Sequence, residues 1–205
     1  MTVTQITELS KSRSKVYLDQ EFAFVLYKGE LRLYHIREGA ELSGEDYDTI
    51  LHEVLPKRAK LRSMNLLKSR EYTSEQLRRK LREGFYPEAV IEEAIEYVAS
   101  YHYIDDMRYA VDYITSQEGS RSRRRIEQDL QAKGIPRESI RKAWMEWEDL
   151  GGHQDETAMI RTLLEKKHYD PESADRKEQQ RIYGFLLRKG YSGDQIRKAM
   201  FLADE

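Results

Sequence analysis

The sequence contains no cysteine, so disulfide bonds and thiolate metal sites are excluded. Proline and glycine are scarce, at 4 and 11 of 205 residues, and a chain so poor in both favours long regular elements, above all helices. No apolar run approaches the roughly 20 residues that a membrane-spanning helix needs. The first residues lack a basic segment followed by an apolar one, so we expect no signal peptide.

Charge is abundant but nearly balanced. Charged residues make up 35% of the chain, and 35 Lys and Arg stand against 37 Asp and Glu, for a net charge of −2. A protein that coats nucleic acid through bulk charge is strongly basic. Any contact with nucleic acid must therefore come from local clusters of cations.

Residues 1–42 have the pattern of a small antiparallel sheet. β-Branched and aromatic residues in alternation predict three or four strands, the last at residues 31–36, with turns at 19–21 and 28–30. A sheet of this size needs a packing partner. The helix that we predict for residues 43–56, with Ser43 as its N-cap, is the candidate.

Helical periodicity fills the rest of the chain and repeats three times. Gly84, Gly134 and Gly190 each end a helix and precede an apolar residue, and further apolar residues recur six and ten positions later. Such internal repeats are typical of stacked helical units. We therefore predict a mainly α fold in which three tandem three-helix modules form an elongated array; a helical bundle without repeats is the alternative. The modules are residues 57–104, 105–150 and 153–203, hereafter modules 1, 2 and 3, with Gly151 and Gly152 as the linker between the last two.

The sequence carries no signature of an enzyme. It has neither a phosphate-binding glycine loop nor a nucleophile elbow, and its five histidines lack the spacing of metal ligands. Asp105 and Asp106 could form a carboxylate pair, but adjacent helical residues do not face each other. We interpret Asp105 as a helix N-cap and Asp106 as a first-turn charge that favours the helix dipole. We thus expect no catalytic residue, metal or cofactor.

Two basic clusters are candidate binding sites. In the first, Ile126 and Leu130 form the apolar stripe of a helix whose other side carries arginines. The cations of this cluster are Arg121, Arg123, Arg124, Arg125 and Lys133. The second cluster, on the matching helix of module 1, contains Arg78, Arg79, Lys80 and Arg82. These side chains either bind phosphate or an acidic protein surface, or form a solvated helix face on which Arg123 pairs with Glu127.

Several of these segments resemble motifs of one known family. Residues 103–110 (Tyr-Ile-Asp-Asp-Met-Arg-Tyr-Ala) resemble Tyr-Leu-Asp-Asp-x-Arg-Phe-Ala, and the basic helix is followed by a match to Leu-x-x-Lys-Gly-Ile at residues 130–135. These motifs resemble those of the RecX family, whose members are bacterial regulators of the RecA recombinase. The resemblance covers residues 57–203, is strongest in module 2 and weakest in module 3, and leaves the N-terminal strands outside. A one-residue gap before Gly84 departs from the repeat.

The resemblance implies a function without catalysis. It implies a cytoplasmic monomer, not bound to membranes, that acts in DNA repair, homologous recombination and the SOS response. Such a protein binds the RecA filament on single-stranded DNA, lies in its groove and reduces ATP hydrolysis and strand exchange; it contacts DNA directly or through the filament. Asp105, Asp106, Arg108 and the three repeat glycines are assigned to architecture. The alternatives are a direct DNA-binding module of helix-turn-helix type, a scaffold for other proteins, and an enzyme whose site is assembled across modules.

Overall fold

The computed structural model describes residues 1–201. Contacts divide the chain into two compact units, one from Met1 to Asp105 and one from Asp106 onward. The first unit joins the N-terminal sheet to module 1 in a single hydrophobic core. The second unit contains modules 2 and 3, each with its own core.

The sheet has three antiparallel strands in the order β1-β2-β3. They are β1 (Val3–Ser10), β2 (Arg13–Leu18) and β3 (Glu21–Tyr27). Asp19 and Gln20 connect β2 to β3 with φ angles of 48° and 74°. Two positive φ angles in a two-residue loop match the right-handed twist of the strands that it joins. The turn that the sequence predicts after β2 is confirmed.

The predicted strand at residues 31–36 is wrong. The chain enters helix α1 (Lys28–Leu33) directly after β3 instead of turning into a fourth strand. The Glu30 carboxylate explains the difference, because it accepts a hydrogen bond from the backbone N–H of Tyr27 (2.7 Å) and pairs with Arg58 (2.7 Å). Together these contacts stabilise a helical turn where the sequence predicted a hairpin.

One continuous helical segment follows the sheet and packs against it. It comprises α2 (Gly44–Thr49), a π-helical turn (Ile50–Val54) and α3 (Leu55–Leu67). Ser43 caps it, as predicted, by accepting a hydrogen bond from the backbone N–H three residues later (3.0 Å). Pro56 lacks a backbone N–H and lies in the first turn of α3, directly after the π-helical turn, where it does not interrupt the segment. Ile50 and Leu55 are buried in the same core as Phe24 of β3, which makes this segment the packing partner of the sheet.

Short amphipathic helices form the remainder of the three modules. Module 1 continues with α4 (Ser74–Arg82) and α5 (Glu88–Ser100); module 2 contains α6 (Asp106–Gln117), α7 (Arg123–Ala132) and α8 (Arg137–Asp149); module 3 contains α9 (Glu156–Lys166), α10 (Arg176–Arg188) and α11 (Gly193–Phe201). Thr73 and Gln76 form a reciprocal capping box at the start of α4. In the described residues no helix is long and apolar enough to cross a bilayer.

The repeat is present, but module 1 is shifted by one residue from the predicted alignment. Gly134 and Gly190 adopt left-handed φ angles of 91° and 97°, whereas the left-handed residue after α4 is Phe85 (φ 63°), not Gly84. In all three modules the residue after this position donates its N–H to the carbonyl five residues earlier, at 3.1–3.4 Å. This bond is the signature of a helix that ends in the Schellman motif. Phe85 therefore takes the place of the glycines.

The corrected alignment brings equivalent buried residues into register in the third helix of each module. The equivalent residues are Ile91, Ile140 and Ile196 at one position, and Ala94, Ala143 and Ala199 at another. All six are at most 9% exposed. The three modules therefore share one internal packing pattern, which confirms repeated three-helix units over a bundle without repeats.

Candidate partner-binding surface

Helix α7 presents the arginines that the sequence places on one face. Ser122 is its N-cap and accepts a hydrogen bond from the backbone N–H of Arg125 (3.3 Å). Ile126 and Leu130 are fully buried in the core of module 2. Arg123, Arg124 and Arg125 are exposed on the opposite side of the helix.

The start of α7 is also where modules 2 and 3 meet, and we call this contact the seam. The Ser122 hydroxyl donates to the backbone carbonyl of Lys189 (2.8 Å), at the end of α10. The backbone N–H of Arg123 donates to the Glu156 carboxylate (2.6 Å), whose other oxygen accepts from the Gln195 amide (2.6 Å). The helix N-terminus is thus satisfied by module 3, a contact that no sequence pattern indicated.

Arg121 and Arg125 share a carboxylate. Arg121 precedes the N-cap of α7 instead of lying on the helix, as the sequence predicted, but both it and Arg125 pair with Asp129 of α7, Arg125 at 3.3 Å. Arg121 also donates to the hydroxyl of Tyr113 on α6 (3.3 Å), which in turn donates to Asp129. Burial, followed by the nearby charge of Asp129, raises the pKa of the Tyr113 hydroxyl. The Lys133 ammonium lies 5.0 Å from the centre of the Tyr113 ring, so it belongs to the same cluster.

Arg123 is held by contacts within module 2. It pairs with Glu127 (3.4 Å), as the solvated-face alternative predicted, and also with Glu148 on α8 (3.0 Å). Its guanidinium lies 4.4 Å from the centre of the Trp144 ring, a cation–π contact. These three contacts favour a positioning role for Arg123 rather than direct contact with a partner.

Arg124 differs from its neighbours. It is exposed, and within residues 1–201 it has no carboxylate within salt-bridge distance. It lines a shallow groove between α7 and α8, which we call the arginine groove. The groove is lined by Arg123, Arg124, Glu127, Gln128, Gln131, Arg137, Ile140 and Arg141. Arg123 is paired with Glu148 (3.0 Å) and Arg141 with Glu138 (2.7 Å), so the cationic character of the groove comes from Arg124 and Arg137.

The cluster on α4 is largely neutralised by its own module. The ion pairs join Arg78 to Glu92 (2.8 Å), Lys80 to Glu83 (2.7 Å), and Arg82 to both Glu75 (3.0 Å) and Glu88 (2.5 Å). The hydrogen bond from Arg78 lowers the pKa of Glu92, and that from Arg82 lowers the pKa of Glu88. Arg79 is exposed and has no ion pair in the described part of the chain. This face therefore resembles a solvated, salt-bridged helix surface.

The residues assigned to architecture lie outside the groove. Helix α6 begins at Asp106, directly after Asp105, and Arg108 is on an exposed face of its first turn. Among residues 1–201, no three acidic or histidine side chains are close enough to hold a metal ion.

Four cations that line the arginine groove or the seam were not predicted from the sequence. Arg137 and Arg141 are four residues apart on α8, and the Gly134 turn folds α8 back beside α7; that spacing next to a helix-ending glycine was an available signal. Arg188 and Lys189 approach Arg121 only through the seam. No local pattern could have indicated that contact.

Comparison with known proteins agrees with this architecture. Family models described as the first, second and third three-helix domains of RecX match residues 59–97, 105–143 and 154–200. Fold and surface together define a protein of tandem three-helix modules with an arginine-lined face. The chain belongs to the RecX family of regulatory proteins.

Relatives extend over nearly the whole chain. The regulatory protein RecX of Caldanaerobacter subterraneus subsp. tengcongensis is 30% identical over 204 residues, which cover 98% of this chain and 100% of that protein. The regulatory protein RecX of Trichlorobacter lovleyi is 34% identical over 142 residues, or 67% of this chain and 90% of that one.

Two crystal structures share the fold. One of a regulatory protein RecX has a TM-score of 0.62 at 22% identity, covering 97% of this chain and 98% of that one. One of RecX from Lactobacillus salivarius has a TM-score of 0.60 at 24% identity, covering 72% of this chain and 95% of that one.

Proposed function

We propose that this chain binds the RecA filament on single-stranded DNA and lowers its ATP hydrolysis and strand exchange. It acts in the cytoplasm, by occupying the filament groove, and catalyses no reaction itself. Membership of a family of regulatory proteins supports the regulatory part of this proposal. The arginine groove supports the binding part.

The observation that carries the proposal is the uncompensated charge of Arg124. Arg123 and Arg125 are occupied by carboxylates of their own module, whereas Arg124 lies in the arginine groove beside Arg137 and Arg141 without one. Guanidinium groups recognise carboxylate and phosphate through paired N–H donors. An exposed arginine in a cationic groove therefore suits an acidic surface on a filament partner.

Charge reversal at Arg124 tests the proposal. The assay is the single-stranded-DNA-dependent ATPase of the cognate RecA, with the full-length chain added to preformed filaments below stoichiometry. We expect the wild type to inhibit and Arg124→Glu to require roughly ten times more protein, the effect of about 1.4 kcal/mol of lost binding. Circular dichroism should be unchanged, since the side chain is exposed.

Lys142→Glu is the matched control. Lys142 is an exposed cation on α8 of the same module that does not line the arginine groove, so the charge change is the same and the location differs. We expect it to inhibit like the wild type. An equal loss of inhibition in both variants would show an effect of net charge alone. If the wild type does not inhibit the ATPase even in molar excess over RecA, the proposed function is refuted.

A further inference from the structure

A second cationic cavity lies at the seam. It is lined by Gln117, Ser120, Arg121, Ser122, Arg125, Arg188, Lys189 and Tyr191. The end of α6, the first turn of α7 and the end of α10 all contribute to it. Half of its lining residues are cations, two from each module.

The charge of this cavity is not balanced by its surroundings. Arg121 and Arg125 share the single carboxylate of Asp129. Arg188 and Lys189 are exposed and, within residues 1–201, neither has a carboxylate within salt-bridge distance; Lys189 lies only over the ring of Phe185 (5.3 Å). Glu156, which accepts the Arg123 N–H at the seam, is the second carboxylate nearby, so four cations against two carboxylates leave an excess of two positive charges.

The backbone segments that carry the two pairs of cations are held next to each other before any ligand arrives. The Ser122 hydroxyl donates to the carbonyl of Lys189, so the seam places Arg188 and Lys189 opposite Arg121 and Arg125. The same bond satisfies the carbonyl at the end of α10, which would otherwise repel an anion. A site ordered in advance loses less entropy on binding.

We propose that this cavity binds a phosphodiester of the nucleic-acid strand, with single-stranded DNA as its source. The inference rests on the proposed function and deepens it, because it separates a nucleic-acid contact at the seam from a protein contact at the arginine groove. A phosphate presents anionic oxygens in several directions, which suits donors that converge from two modules. A carboxylate of a protein surface presents two oxygens in one plane, so it is matched by paired donors on one side better than by donors from two modules.

Substitution of the module 3 cations tests the site. Anisotropy with a fluorescent short oligothymidylate gives the Kd of the full-length chain as salt is varied. We expect Arg188→Gln with Lys189→Gln to weaken binding by at least roughly tenfold, and to reduce the slope of log K against log salt by about 1.4, since each lost phosphate contact removes about 0.7 for a single strand. Neither side chain makes an ion pair within the described residues, so the fold should be retained.

Arg176→Gln with Lys177→Gln is the control. These exposed cations are in the first turn of the same helix, outside the cavity, and the charge change is identical. Binding close to that of the wild type supports the site. Equal loss in both double variants, or no binding of the oligonucleotide by the wild type at low salt, overturns it.

Two further arms identify the ligand. In the first, a DNA duplex competes with the oligothymidylate. If the duplex competes equally and the Arg188 and Lys189 variant loses affinity for it to the same extent, the cavity is a phosphodiester site whose source is double-stranded DNA. In the second, binding to RecA is measured without DNA. If the Arg188 and Lys189 variant loses this binding but still binds the oligonucleotide normally, the ligand is an acidic protein surface and the phosphodiester proposal is overturned. The filament ATPase is a separate readout: if the wild type inhibits while the Arg188 and Lys189 variant binds oligonucleotide normally, this inference fails and the proposed function stands.

Discussion

Gly190 meets two requirements that only glycine satisfies together. Its φ of 97° lies in the left-handed region, and a Cβ atom there would be 2.5 Å from the Ser122 hydroxyl oxygen. The left-handed backbone ends α10, and the absence of a Cβ atom allows that end to approach the N-terminus of α7. One residue thus contributes both to a helix terminus and to the seam.

Gly190→Ala should lower the free energy of unfolding of the second unit by about 2–4 kcal/mol, with roughly 1–2 kcal/mol from left-handed backbone and the rest from overpacking. Urea unfolding followed by tryptophan fluorescence measures this, because Trp144 and Trp147 both lie in that unit. Gly151→Ala is the control, since it has a φ of 89° but no heavy atom within 4 Å of a Cβ. Equal losses would show that the close contact with Ser122 contributes nothing.

At this scale, contacts between residues that are close in the chain could be predicted from the sequence. The cap at Ser43, the capping box at Thr73 and the Arg123–Glu127 pair all join residues three or four apart, and all three are present. The pair between Arg123 and Glu148 joins different helices, so no local rule indicates it. Which arginine stays without a carboxylate depends on such cross-helix contacts.

At the scale of elements, the link between modules 2 and 3 is a packed turn. Gly151 and Gly152 read in the sequence as a linker, but a Cβ on Gly152 would overlap the indole ring of Trp147. The N–H of Gly152 also donates to the carbonyl of Trp147 (3.0 Å). Glycine is needed here for close packing as well as for a change of direction.

Gly152→Ala should therefore destabilise the second unit, by about 1–3 kcal/mol, the usual cost of overpacking. Gly119→Ala makes the same change in a turn of module 2 where nothing lies within 4 Å of the new atom. We expect that control to stay within roughly 0.5 kcal/mol of the wild type. The urea midpoint of each variant gives the comparison, and an unaltered midpoint for Gly152→Ala would contradict the packed turn.

The misassigned α1 shows why elements near the sheet were hard to predict. Residues 31–36 are rich in apolar and aromatic side chains, and local propensity favours a strand there. The deciding contact is between Glu30 and Arg58, which are 28 residues apart. The ion pair leaves no local trace, whereas the bond from the Tyr27 N–H to Glu30 joins residues three apart and was an available local signal.

At the scale of the whole molecule, the N-terminal sheet is part of the core of module 1. Phe24 of β3 is fully buried and belongs to the same cluster as Ile91 and Ala94 of α5. The modules and their number could be predicted from the repeat, because each copy has the same periodicity. Their grouping into two units could not, since it depends on contacts such as that between Ser122 and Lys189.

Phe24→Ala, a change in the sheet, should therefore also destabilise module 1. We expect the free energy of unfolding of the first unit to fall by about 3–5 kcal/mol, the usual cost for a buried phenylalanine. Native-state hydrogen exchange should show faster exchange at Ile91 and Ala94, with Ala143 of the second unit unchanged. Phe22→Ala, at a side chain that is 43% exposed, should have a smaller effect. Unchanged protection of α5 in Phe24→Ala would mean that the sheet does not contribute to the stability of module 1.

The seam determines where this protein could be shortened or recombined with a relative. A cut near Gly151 follows the repeat, yet it would remove the acceptor of the Ser122 hydroxyl and the carboxylate that receives the Arg123 N–H. It would also remove Gln154, which donates to the carbonyls of Glu118 and Arg121. Modules 2 and 3 are therefore not interchangeable parts, and a chimera that exchanges them as a pair, joined after Asp105, keeps every one of these bonds.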